Sequence, residues 1–145
     1  MTTDTDRAAI LKLIEDIDLA HHDRDAARIV APFAAGALIF DLAPPLAKSM
    51  EKAEVSAWLS TWEGPVERRS RDLAVTVEGD LAFVTGFLHT RSTTKEGGHD
   101  AAWWCRATIC LRRIDSRWRI VHQHTSVPFY MDGTFLAATD LEPPP

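Results

Sequence analysis

The apolar residues of this chain change their spacing once, at Gly64-Pro65, and that change limits the fold more than any other feature. Upstream they recur every three to four positions; downstream they recur every two. The first period belongs to a helix buried on one side, the second to a strand. Helices first and hairpin-linked strands afterwards predict an α+β domain.

Apolar positions 10, 13, 14, 17 and 20 predict one helix from Asp6 to His22, whose closing His21-His22 suits a helix C-terminus. After a turn at Asp23-Arg24-Asp25, where an Asp can cap, Ala26, Ile29, Val30 and Phe33 keep the helical period. Pro32 and Gly36 mark its end. Ala37 to Leu42 reads as a short buried strand stopped by Pro44-Pro45. Ser49 can cap a third helix, Met50 to Trp62, whose stripe is Val55, Trp58, Leu59 and Trp62 before Gly64-Pro65. Then Leu73, Val75 and Val77 alternate with polar residues. Turns at Glu78-Gly79-Asp80, Lys95 to Asp100 and Asp115-Ser116 separate strands Leu81–Arg91, Ala101–Arg113 and Trp118–Val127, an antiparallel meander.

With 145 residues, 46% of them hydrophobic, the chain has the means for one core, so a disordered state is excluded. A single domain over 1–145 is expected, with a core over about 6–130 and a C-terminal extension over 131–145. The net charge of −5 argues against a nucleic-acid partner, which needs a basic footprint. No apolar run approaches the ~20 residues of a membrane helix, and the polar start Met1 to Asp6 is no signal peptide. Cys105 and Cys110 lie too far apart along one strand for a disulfide, and their parity differs. A reduced, cytoplasmic protein is the expectation.

Three stretches carry a family resemblance: Ile39 to Leu46, Gly79 to Val84 and, most specifically, Trp118 to Phe129. Over about residues 6 to 141 the chain resembles the SnoaL-like, ketosteroid-isomerase-like subgroup of the nuclear transport factor 2-like superfamily. That superfamily also holds steroid Δ-isomerases, polyketide cyclases, scytalone dehydratase and a calmodulin-dependent kinase association domain. The resemblance implies a cone, in which a curved antiparallel sheet wraps N-terminal helices and a pocket opens at one end. It also implies a dimer through the outer sheet face. It implies no particular reaction, because such folds host many.

Asp41 is the first candidate for chemistry. It follows an apolar strand and precedes Pro44-Pro45, so a carboxylate enters a partly buried site, where burial would favour its protonated form and suit it as a base near neutral pH. The resemblance matches it to the proton-abstracting Asp of the steroid isomerases. The competing reading is a strand-end Asp bonded to backbone. The steroid-isomerase oxyanion partners are missing: the first helix has Ile14 and Ile17 where a Tyr would stand, and Ala101 to Arg113 holds no carboxylate.

A second group shares strand parity. Arg106 and Thr108 could lie beside His122 and His124, which count as catalytic candidates. The alternative reading places them in a dimer-forming network on the outer face. His122-x-His124 could supply two metal ligands, but no third is evident, so no metal is expected. His89 shares parity with Phe83, Thr85 and Phe87, a face expected to line the interior. His89, Arg106, Trp62, Trp103 and Tyr130, the only tyrosine, are the substrate-binding candidates. Trp58, Trp62, Trp103 and Phe87 suit core and pocket wall. No phosphate loop or nucleophile motif is present.

The expected activity is cofactor-free chemistry on a small apolar or semi-polar molecule, of isomerase, cyclase or hydratase type, with Asp41 as base. The alternative is a non-catalytic ligand-binding or dimerisation module. A pocket holding Asp41 and a second titratable group within ~3 to 6 Å would favour the enzyme.

Overall fold

The computed structural model describes residues 3–145. Helix α1 spans Thr3–His22, α2 Ala26–Val30 and α3 Lys52–Leu59. The strands are β1 Phe33–Phe40, β2 Trp62–Glu78, β3 Leu81–Thr94, β4 Asp100–Ile114 and β5 Arg117–Ser126. They form one five-stranded sheet in the order β1-β5-β4-β3-β2.

Helix α1 behaves as its spacing predicts. Ile10, Ile14, Ile17 and Ala20 are buried, and the three Ile side chains meet Val84, Ile109, Leu111, Trp118 and Ile120 of the sheet. Its first turn is fixed by a buried carboxylate. Asp6 accepts from Arg113 Nη1 at 2.8 Å, Arg113 Nη2 at 3.0 Å and Trp118 Nε1 at 3.2 Å. The Arg113 guanidinium, itself stacked 4.4 Å over the Trp118 ring, holds Asp6 below the usual carboxylate range. Asp25 caps α2 as expected, its Oδ1 accepting from Arg28 N at 3.2 Å.

Three boundaries differ from the sequence expectation. Phe33 opens β1 instead of ending α2, and Gly36, at φ +76°, sits inside that strand. Helix α3 stops at Leu59, and Trp62 opens β2, which runs through Gly64-Pro65. A proline is tolerated there because β2 is a sheet edge and its pairing with β3 is interrupted between Glu63 and Glu67. Ser49 caps nothing; Glu51 holds the N-cap position without a capping bond, and the Ser49 hydroxyl donates to Glu51 Oε1 at 2.7 Å.

The sheet is mixed rather than wholly antiparallel. β1 lies parallel to β5, while the other pairs are antiparallel. A parallel neighbour needs a crossover connection, and here the rest of the chain between β1 and β5 supplies it.

Two bulges re-aim side chains. Arg71 to Ala74 in β2 and Ile120 to His122 in β5 each carry extra residues relative to their partners. The first bulge presses on Gly86, where a Cβ would stand 3.1 Å from the Arg71 carbonyl oxygen and 2.6 Å from Leu73 Cδ2. Gly86→Ala is therefore expected to cost about 1–3 kcal/mol through overpacking. Denaturant unfolding checks this, and a loss below ~0.5 kcal/mol would show that the bulge gives way.

Candidate functional site

Between the three helices, the loop after β1 and the inner face of β3–β5 lies a cavity of about 280 Å³. Its walls are mostly apolar: Ile17, Ile29, Val55, Trp58, Leu88 and Trp103 among them. Trp62 stacks behind two of these, with ring centroids 6.0 Å from both Trp58 and Trp103. Thr90, Cys105, Gln123 and Thr125 supply a polar floor.

One end is the Asp41 corner. In β1, Ala37 and Ile39 are buried, and Asp41 continues their parity. Asp41 Oδ2 pairs with Lys48 Nζ at 3.0 Å, while Oδ1 accepts from Leu42 N at 2.8 Å and Thr125 Oγ1 at 3.3 Å. Lys48 is brought there by the backbone. Ile39 and Lys48 exchange two hydrogen bonds, of 2.8 and 3.0 Å, closing the loop between them. The Asp41 side chain is 38% exposed, so the partly buried site expected for it lies at the rim of the cavity. The Pro-Pro stop turns the chain out into a solvated loop there, and a lysine meets the charge.

The other end is built on α1 and β2. His21 is buried, and its Nδ1 lies 2.8 Å from the Ile17 carbonyl oxygen. A carbonyl has no proton to give, so Nδ1 carries the hydrogen and Nε2 presents a lone pair. Burial first, then the Arg68 charge, lowers its pKa to about 3, so His21 is neutral. Arg68 Nη1 reaches His21 Nε2 at only 3.5 Å. Arg68 Nε stands 3.0 Å from Asp18 Oδ1, yet neither atom makes an aligned hydrogen bond. Asp18 is secured instead by the Ser70 hydroxyl at 2.9 Å, and burial pushes its carboxyl upward despite Arg68. The Cys105 thiol feels both ends, the Arg68 and Asp41 charges, and burial raises its pKa.

Of the residues singled out from sequence, Asp41 and Trp103 line this cavity and Trp62 backs it. The remainder lie elsewhere. Ala82, Val84, Leu88 and Thr90 form the buried side of β3, so His89 shares the outward face with Phe83 and Phe87. The expected parity is inverted: Ala82, Val84, Leu88 and Thr90 fill the inside while the phenylalanines stand outside. His89 packs on Trp104, ring centroids 4.8 Å apart, with Arg69 5.5 Å and Arg71 5.9 Å from the Trp104 ring. Arg106 and His124 also face outward, with His122 beside them. Thr108 pairs with His124 and Cys110 with His122, close to the expected juxtaposition, and Arg106 Nε donates to Ser126 Oγ at 3.2 Å. Tyr130 donates to Asp140 within the C-terminal segment. Among the described residues no cluster of three or more His, Cys, Asp or Glu could hold a metal ion. No helix among them is long and apolar enough to cross a membrane.

Sequence reasoning missed His21, Lys48 and Arg68. His21 had a signal: positions 10, 14, 17 and 21 form one helical stripe, so it belonged to the buried face rather than to the helix end. Arg68 sits in the charged run Glu67 to Asp72, which shows no period at all. Lys48 reaches Asp41 only through a loop closure that spacing cannot reveal.

A family model described as a SnoaL-like domain matches residues 10–130. A nuclear-transport-factor-2-like protein of unknown function from Pseudomonas putida KT2440 is 30% identical, covering 99% of this chain and 100% of that one at a TM-score of 0.83. A nuclear transport factor 2-like superfamily protein from Salmonella enterica serovar Typhimurium is 16% identical over 92% of this chain and 98% of that one, TM-score 0.77. A candidate scytalone dehydratase from Novosphingobium aromaticivorans is 12% identical over 97% and 100%, TM-score 0.77. The last two show likeness of fold alone. Among curated proteins no sequence matches.

Proposed function

Because this chain belongs to the SnoaL-like domain family, whose fold assigns no reaction by itself, we propose its activity from the cavity: cofactor-free proton transfer on a small apolar or semi-polar molecule, by isomerisation or by loss or addition of water. The observation that carries this reading is the Asp41–Lys48 pair at 3.0 Å on the rim of an apolar cavity. A base and an acid in contact, opening onto space for a ligand, are what such chemistry requires. Asp41 takes a proton from a substrate carbon, and the electron pair of that C–H bond moves into the new double bond. In a dehydration the C–O bond then breaks, and the hydroxyl leaves as water with a proton from the Lys48 ammonium. Transfer of the proton from Asp41 to Lys48 restores both groups.

The test is Asp41→Asn, assayed against a panel of small hydroxyketones. Turnover is expected to fall by roughly 10²- to 10⁴-fold, with the thermal midpoint little changed. A variant that melts earlier yet binds and turns over ligand as before would return Asp41 to a purely structural role.

A further inference from the structure

We propose that the Arg68–His21 end of the cavity binds a hydroxyl group carried on an apolar ring, with His21 Nε2 accepting the hydroxyl hydrogen and Arg68 donating to its oxygen. This rests on the reading that the cavity takes a small molecule, and it names the class of that molecule. Both side chains line the cavity, and each meets a partner poorly: His21 Nε2 has only the long contact with Arg68 Nη1, and Arg68 Nε pairs with Asp18 Oδ1 without alignment. Arg68, with a side chain only 10% exposed, has an Nε without an aligned bond, and its one contact with His21 is at the 3.5 Å limit. Buried donors and acceptors left so poorly met are costly, and a ligand group that meets them gains what they lack.

The chemistry of the two groups selects the ligand. The Ile17 carbonyl fixes the His21 hydrogen on Nδ1, so Nε2 can only accept. Arg68 can only donate. A hydroxyl satisfies both at once. A carboxylate would turn oxygen lone pairs toward the His21 lone pair, in a cavity whose lining also includes Asp41, Glu51 and Glu54. An ammonium would meet Arg68. An ether accepts from Arg68 but leaves His21 unmet. The ring follows from the walls, where Trp58 and Trp103 present flat apolar surface beside Leu88 and Val55.

Three probes that differ at one group test this: 2-naphthol, 2-methoxynaphthalene and 2-naphthoate, titrated by ligand-observed NMR near neutral pH. On the native chain 2-naphthol is expected to bind about tenfold tighter than the methyl ether, as one net hydrogen bond provides, and tighter than the naphthoate. His21→Phe should bring 2-naphthol down to the level of the ether. His21→Gln, which keeps an acceptor oxygen, should restore part of the difference. Naphthoate binding tightest, the ether matching 2-naphthol, or no binding by any probe would each overturn the proposal. The Asp41 reading fails separately. If it alone is wrong, Asp41→Asn keeps its turnover and the naphthol preference persists; if only the hydroxyl site is wrong, the preference is missing while Asp41→Asn still loses turnover.

Discussion

Acidification from about pH 6.5 to about pH 3 is expected to remove roughly 4–5 kcal/mol of folding stability through His21 alone. In the folded chain burial and Arg68 hold this imidazole neutral down to about pH 3, whereas in the unfolded chain it gains a proton near 6.5. Above 6.5 neither state is charged there, and the contribution of His21 is independent of pH. Below it the unfolded state binds a proton that the folded state refuses, so stability falls by about 1.4 kcal/mol per pH unit across the window. Asp18 acts with the opposite sign, because burial raises its carboxyl. Asp6, held low by Arg113, adds to the loss at the acid end. Urea unfolding at several pH values, run on the native chain and on His21→Phe, separates these contributions. The variant should show a visibly flatter fall between pH 6.5 and 3, whatever its stability at pH 7. Two parallel curves would mean that His21 is reached by water in the folded state.

The second large effect is expected from Ile14→Ala, a loss of about 2–5 kcal/mol. Ile14 is 1% exposed and sits mid-helix among Ile10, Ile17 and the inward residues of the sheet. Truncation leaves a void beneath a helix whose neighbours are held by their own strand pairings, so the site can collapse only in part. Leu19→Ala, on the same helix but 48% exposed, serves as the control and should change stability by less than ~0.5 kcal/mol. Equal small losses for the two variants would remove α1 from the core.

The success of the helical stripe and the failure of strand parity have one cause. A period can be read as long as the chain keeps it. Helix α1 does so for 20 residues, so its buried face was legible down to single positions. β5 does not. Trp118 and Ile120 face the core, then Val121 is left without a partner, and afterwards Gln123 and Thr125 take the inside. Counting by twos from Trp118 therefore grouped His122 and His124 with core residues whose side they do not share. β2 hides in another way. It is an edge strand with charges on both faces, so only its last third alternates cleanly. Asp41 was legible because it ends a short apolar run. The other half of the cavity is not, because Arg68 lies within that charged edge and a His in the last turn of a helix also suits the helix dipole.

The loop between Ile39 and Lys48 has a meaning for how such a protein can change. Its two ends are tied by paired backbone bonds, and the charged corner is carried at those ends. The chain between, Leu42 to Ala47, is exposed, and Leu46 at 96% exposure touches almost nothing of the body. Lengthening a surface loop costs little, because closure entropy grows only slowly with length. Residues can therefore be inserted, removed or exchanged at the tip while Asp41 and Lys48 keep their places. In the laboratory the loop tip is therefore expected to be a replaceable part, open to exchange around a charged pair that stays in place.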